Sequence, residues 1–231
     1  MSVAAPADRL RRRVAPRAVV ALSRIDAPAR AGAALRRAVG RRGRVELYIA
    51  FDDPCSAVAV LDLAERLDGA GADLHVLPVV HRGIPDDPAV ERKREHAVQD
   101  ARRLLRRSGL VLGRTGPVAP EEVAFLAEWA ASAPPGPALT RFCVAALRRL
   151  WLTSDGPVSP APYALLWRQA FGTGPAAGGS PDAVRRNERR MARRGPYDTP
   201  GAWVHGRWFF AHDRPAQIAA RLDDLGWGRG A

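Results

Sequence analysis

Residues 197–214 read YDTPGAWVHGRWFFAHDR, and the parsing of this stretch decides the fold. Residues 202–204 and 207–210 are short runs rich in aromatic and β-branched side chains, separated only by His205-Gly206. Two residues between two such runs, with a glycine to supply positive φ, predict a tight β-hairpin. Thr199-Pro200 stands just before the first run. An X-Pro bond adopts cis at a cost of about 0.5–1 kcal/mol, and a strand directly after it favours cis over an ordinary trans turn. Beyond the hairpin, residues 215–225 carry Ile218, Leu222 and Leu225 on one helical face. The chain therefore closes β-β-α.

Working outward toward the N-terminus, residues 85–194 give no strand signal. Helical patterns cover 90–108, 120–132, 139–153, 160–171 and 181–194. Ser159-Pro160 and Ser180-Pro181 each pair an N-cap residue with proline at the first helical position, and Gly172 and Gly195 stand where those two helices stop. Trp129, Trp151 and Trp167 recur on these helices and read as core. Before this block, residues 45–51 and 74–80 are β-rich and flank an apolar helical pattern over 57–67, with Gly69 at its C-cap. The whole order is β-α-β, helices, β-β-α. That is an α/β protein with a thioredoxin-like core, residues 45–84 and 195–231, opened by an all-helical insertion over 85–194. A basic helical arm, residues 1–44, precedes it.

From about residue 45 to 227 the chain resembles the branch of the DsbA-like family that contains 2-hydroxychromene-2-carboxylate isomerases and kappa-class glutathione transferases. Residues 48–56, YIAFDDPCS, look like that family's first strand and active-site turn. Arg92-Lys93, Asp100 and Leu104-Leu105 resemble its first inserted helix, and residues 147–151 followed by Asp155 resemble a helix and acidic turn further on. The stretch 197–214 is similar to its ending. The resemblance implies a glutathione-dependent isomerase or transferase acting on a small electrophile in the cleft between core and insertion. It places Thr199-Pro200 at a cis-proline loop facing the thiol, His212 and Asp213 at the γ-glutamyl end of glutathione, and Lys93 at the glycyl carboxylate. For Asp213 a plain N-cap of the terminal helix is an equal reading, and for Lys93 a solvated surface position.

The family holds serine or cysteine at the position occupied here by Asp53, in Asp53-Pro54-Cys55-Ser56. A helix N-terminus stabilises a thiolate through its free N–H groups and positive dipole end. A carboxylate there takes those N–H groups itself and, within about 4–6 Å, raises a thiol pKa by repulsion. Asp53 thus reads as a cap or as a catalytic acid or base. Cys55 lies at the third position of what would be C-x-x-C, with Ser56 at the fourth, so no dithiol couple is available. The alternatives to a glutathione enzyme are a non-catalytic thioredoxin-like binding module and, more weakly, a monothiol oxidoreductase working through Cys55.

Composition narrows the remaining classes. The net charge is +12, but residues 1–44 hold twelve arginines against Asp8 and Asp26, a net of +10, which leaves +2 for the rest. A solvated basic helix accounts for this arm, and a nucleic-acid or membrane-surface contact is the competing reading. Cys55 and Cys143 are the two cysteines, and the five histidines show no ligand spacing, so no disulfide framework and no metal are expected. No apolar run approaches a transmembrane span. Pro16, Arg17 and Arg24 bracket only a short apolar stretch over 18–22, so no secretory signal is expected and the cytoplasm is the expected location. A homodimer is compatible with this reading.

Overall fold

The computed structural model describes residues 26–153, 156–176 and 178–229. The first 25 residues of the basic arm and Asp155 lie outside the described residues. Helix α1 (Ala27–Ala38) leads into β1 (Gly43–Ile49), α2 (Pro54–Leu67) and β2 (Ala72–Pro78). The insertion follows as α3 (Val90–Arg107), α4 (Pro120–Ser132), α5 (Pro137–Leu147), a π-helical segment (Arg148–Thr153), α6 (Pro160–Phe171) and α7 (Pro181–Arg194). The chain returns through β3 (Gly201–Val204), β4 (Arg207–Phe210) and α8 (Pro215–Asp224).

The four strands form one sheet in the order β2-β1-β3-β4. β1 runs parallel to β2 and antiparallel to β3, and β3 pairs antiparallel with β4. Alternation along β1 gives the sheet two different faces. Val45, Leu47 and Ile49 enter a large apolar core shared with α2, α8 and the insertion, including Leu63, Ile218 and Trp151. Tyr48 turns to the other face, where Met191 of α7 and the edges of Trp203 and Trp208 cover it. Glu46 shares that face and is buried at 4% exposure, held by Arg190 of α7 through Nε at 3.1 Å and by the Tyr48 hydroxyl at 3.3 Å.

Local signals explain most element ends. Ser180 caps α7 by accepting from the Ala183 N–H at 3.2 Å, and Gly172 and Gly195 adopt the left-handed conformation after α6 and α7. Ser159 makes no side-chain cap. The hairpin turns on His205 and Gly206, both at positive φ, as a two-residue connection of the I′ kind requires. Gly201 is a packing requirement: a methyl group there would stand 2.5 Å from the Trp208 ring.

Two expectations need correction. The helix expected over 139–153 is α-helical only from Pro137 to Leu147, and then widens into the π-helical segment. This segment carries Trp151, fully buried, whose Nε1–H donates to the Phe51 carbonyl at 3.0 Å. Such single-turn widenings accommodate a local demand that regular helical geometry does not meet. Helix α2 starts three residues earlier than its apolar pattern, because Asp53-Pro54 is a strong start signal of its own. Helix α1 is docked: Ala33 belongs to the main core, and Asp26 before it binds Arg207 and Arg221. No helix among the described residues is long and apolar enough to cross a membrane.

Candidate functional site

The C-terminal end of β1, the first turn of α2 and the loop before β3 meet at Asp53. Its carboxylate is 7% exposed and accepts from three donors. Oδ1 takes the Cys55 N–H at 2.9 Å, while Oδ2 takes the Ser56 hydroxyl at 2.7 Å and the Thr199 hydroxyl at 3.2 Å. Ser56 is fully buried and accepts in turn from the Ala50 N–H at 3.1 Å. The Thr199–Pro200 peptide is cis. Asp53 is therefore an N-cap in the ordinary sense, and it also reaches across to the cis-proline loop.

Around Asp53 lies a second ring of charge that the sequence reading did not identify. Arg82, on the segment after β2, makes a two-pronged ion pair with Asp52, at 2.9 and 2.8 Å, and its Nε lies 3.9 Å from Asp198. Asp198 itself accepts from the Thr199 N–H at 2.8 Å. The parallel register ends at Ile49 and Pro78, and Asp52 and Arg82 meet beyond those two strand ends.

The electrostatics of the turn follow from burial. Desolvation pushes the Asp53 carboxyl above its ordinary value, opposed chiefly by the nearby Arg82 and then by the Ser56 hydrogen bond. Burial also pushes the Cys55 thiol far up, and the Asp53 charge adds to it. Cys55 is 7% exposed and its Sγ points at the Ala97 carbonyl of α3, 3.8 Å away. At neutral pH it is a thiol and not a thiolate. Cys143, fully buried in the insertion, is likewise pushed up by burial alone.

Of the residues expected to form the site, Asp53, Cys55, Ser56, Thr199 and Pro200 are brought together. Lys93 is instead held by Asp87 at the start of α3, with most of its side chain in solvent. His212 and Asp213 lie on the turn after β4, with His212 Nε2 3.5 Å from an Asp213 carboxylate oxygen. Asp213 does not cap α8. The residue in the N-cap position is Arg214, which makes no side-chain cap hydrogen bond, and the Asp213 side chain is 58% exposed. His212 Nδ1 is buried without a hydrogen-bond partner. Among the described residues no group of three or more His, Cys, Asp or Glu side chains is placed to hold a metal ion.

No family model and no curated protein matches this sequence. Among solved structures, one titled as 2-hydroxychromene-2-carboxylate isomerase (HCCA isomerase) superposes with a TM-score of 0.61. The match covers 79% of this chain and 96% of that chain, at 14% identity. This chain has the thioredoxin-like fold of the DsbA type. Helices α3 to α7 lie between β2 and β3, and the Asp53 turn and the cis-proline loop meet at the end of β1.

Proposed function

We propose that this chain is a thioredoxin-like binding module that holds a peptide or small molecule in the cleft between core and insertion without activating a thiol. One observation carries the reading: Asp53 consumes the Cys55 N–H, the Ser56 hydroxyl and the Thr199 hydroxyl, so the donors available to a thiolate in such a turn are occupied by a carboxylate of the chain itself. A thiolate brought to the same place meets a negative charge instead of free donors. The thiol end of glutathione does not fit an activating site of this composition. The raised pKa of Cys55 weighs in the same way against a monothiol oxidoreductase.

The test is Asp53→Ser, assayed beside the wild type for glutathione conjugation to an electrophilic aromatic halide. Activity that appears only in the variant supports a module derived from an enzyme. A wild-type activity that the variant loses would overturn it.

A second reading, a glutathione-dependent isomerase or transferase, is favoured by two residues on the turn after β4. His212 Nδ1 is buried and unpartnered beside the exposed Asp213 carboxylate, a pair suited to the amino and carboxylate groups of a γ-glutamyl moiety. Calorimetry with glutathione on the wild type and Asp213→Ala separates the readings. Saturable binding that the variant weakens favours the glutathione enzyme, and absence of binding favours a module with another ligand.

A further inference from the structure

The opposite end of β1, about 17 Å along the strand from its exit into the Asp53 turn by the ordinary rise per residue, borders a separate cavity of about 650 Å³. Arg36 of α1, Arg44 and Glu46 of β1, Arg194 of α7, and Trp203 and Arg207 of the hairpin line it. Arg44 and Glu46 share one face of β1 by strand alternation, and Trp203 is the cross-strand neighbour of Glu46. The sheet and the docked helix α1 thus build the cavity together.

Its two carboxylates are already satisfied. Asp26 accepts from Arg207 at 2.8 Å and Arg221 at 2.7 Å. Glu46 is held by Arg190, with Arg194 3.7 Å away. Arg194 also lies 4.8 Å over the Trp203 ring. Among the described residues, that leaves the side chains of Arg36 and Arg44 without an acidic partner. The Arg44 side chain makes no hydrogen bond or ion pair among the described residues, while its backbone belongs to the β1–β2 ladder. Arg36 makes one long bond to the Arg42 carbonyl at 3.4 Å, and its Nε is buried with no acceptor. A buried donor without an acceptor is costly, and a guanidinium edge is shaped for the paired oxygens of an oxyanion. His205, on the same wall, has its pKa lowered by burial first and then by Arg36, Arg221 and Arg44, which fits a positive local potential.

We propose that this cavity binds a small phosphorylated molecule, with its phosphate oxygens taken by Arg36 and Arg44 and its remainder lying against Pro28, Ala29 and Trp203. The volume falls within the range of about 300–1,000 Å³ usual for small-molecule sites. The site is distinct from the Asp53 turn and stands whichever reading of that turn holds.

The experiment is calorimetric titration of the full chain with pyrophosphate and with adenosine diphosphate at low ionic strength. The variants are Arg36→Gln, Arg44→Gln and, as a control, Arg103→Gln, an exposed arginine on α3 paired with Asp100. Saturable one-to-one binding that falls about tenfold in both cavity variants and stays unchanged in the control is the expected result, each guanidinium fork carrying a charge-assisted pair. Arg44 is exposed on its strand, so its variant keeps the fold even if Arg36→Gln disturbs α1. Absence of saturable binding, or equal weakening by all three variants, would overturn the proposal. Equal weakening together with competition by duplex DNA would mark a diffuse contact with nucleic acid instead.

Discussion

The hydroxyl of Thr199, the residue before cis-Pro200, donates to Oδ2 of Asp53 at 3.2 Å. One carboxylate thereby joins the two halves of the core that the insertion separates in sequence. It caps α2 on one side and secures the loop entering β3 on the other.

Replacing Asp53 by alanine removes the acceptor for three donors and the cap of a wholly internal helix start. An N-cap is worth about 1 kcal/mol, and each buried donor left unpaired adds about 1–3 kcal/mol, less what is recovered by no longer burying a charge. The expected loss is about 2 kcal/mol in urea unfolding. Asp53→Ser, which keeps a capping oxygen, should lose less than half as much. Equal losses in the two variants would mean that the cap contributes nothing.

Asp52 and Arg82 form a two-pronged ion pair beside the site. The Asp52 side chain is 3% exposed and the Arg82 side chain 15%, so neither charge has water to fall back on. Breaking a buried pair by removing one member costs about 3–5 kcal/mol, because the remaining charge stays uncompensated. Arg82→Met should fall in that range, and Asp52→Asn combined with Arg82→Met should recover most of it. A double-mutant cycle in urea with no coupling between the two positions would disprove this.

The fold was legible because its local signals agree. Pro200, the His205-Gly206 turn and the Ile218, Leu222, Leu225 stripe all point to a β-β-α ending, and Asp53-Pro54 starts α2 as its chemistry dictates. The π-helical segment was not legible, since nothing in RRLWLT distinguishes it from regular helix; its geometry comes with Trp151 meeting the Phe51 carbonyl, a tertiary contact. In the site, Asp53, Ser56 and Thr199 were brought together by the family resemblance, whereas the pairing of Asp52 with Arg82 is a contact between two loops that neither pattern nor resemblance announced. Lys93 illustrates the opposite failure. A residue on a helix of the right kind was expected at a ligand, and a nearby carboxylate, Asp87, holds it instead.

Cys55 should be inert in the folded protein. Burial, reinforced by Asp53, holds it as a thiol, and thiol reagents attack the thiolate. Cys143 is buried and raised by the same cause. Titration with Ellman's reagent should show both cysteines reacting slowly and together under native conditions, and at once in denaturant. One equivalent reacting fast in the native protein, and lost in Cys55→Ser, would restore the monothiol reading.

The pH dependence of stability carries a signature of Asp53 with a definite sign. Burial raises its folded pKa above the ordinary 3.8, against the pull of Arg82 and the Ser56 hydrogen bond. Between the unfolded and folded values the native chain holds a proton that the unfolded chain has lost. Stability from this group is therefore fully present below 3.8 and declines as pH rises through the window toward the folded value. Asp53→Asn removes the titration while keeping the shape. The wild type's unfolding free energy, measured in urea upward from about pH 3 and taken relative to Asp53→Asn, should fall as pH increases above the unfolded value. A relative stability that rises with pH would mean that Arg82 and the three donors outweigh burial, making Asp53 a depressed rather than a raised carboxyl.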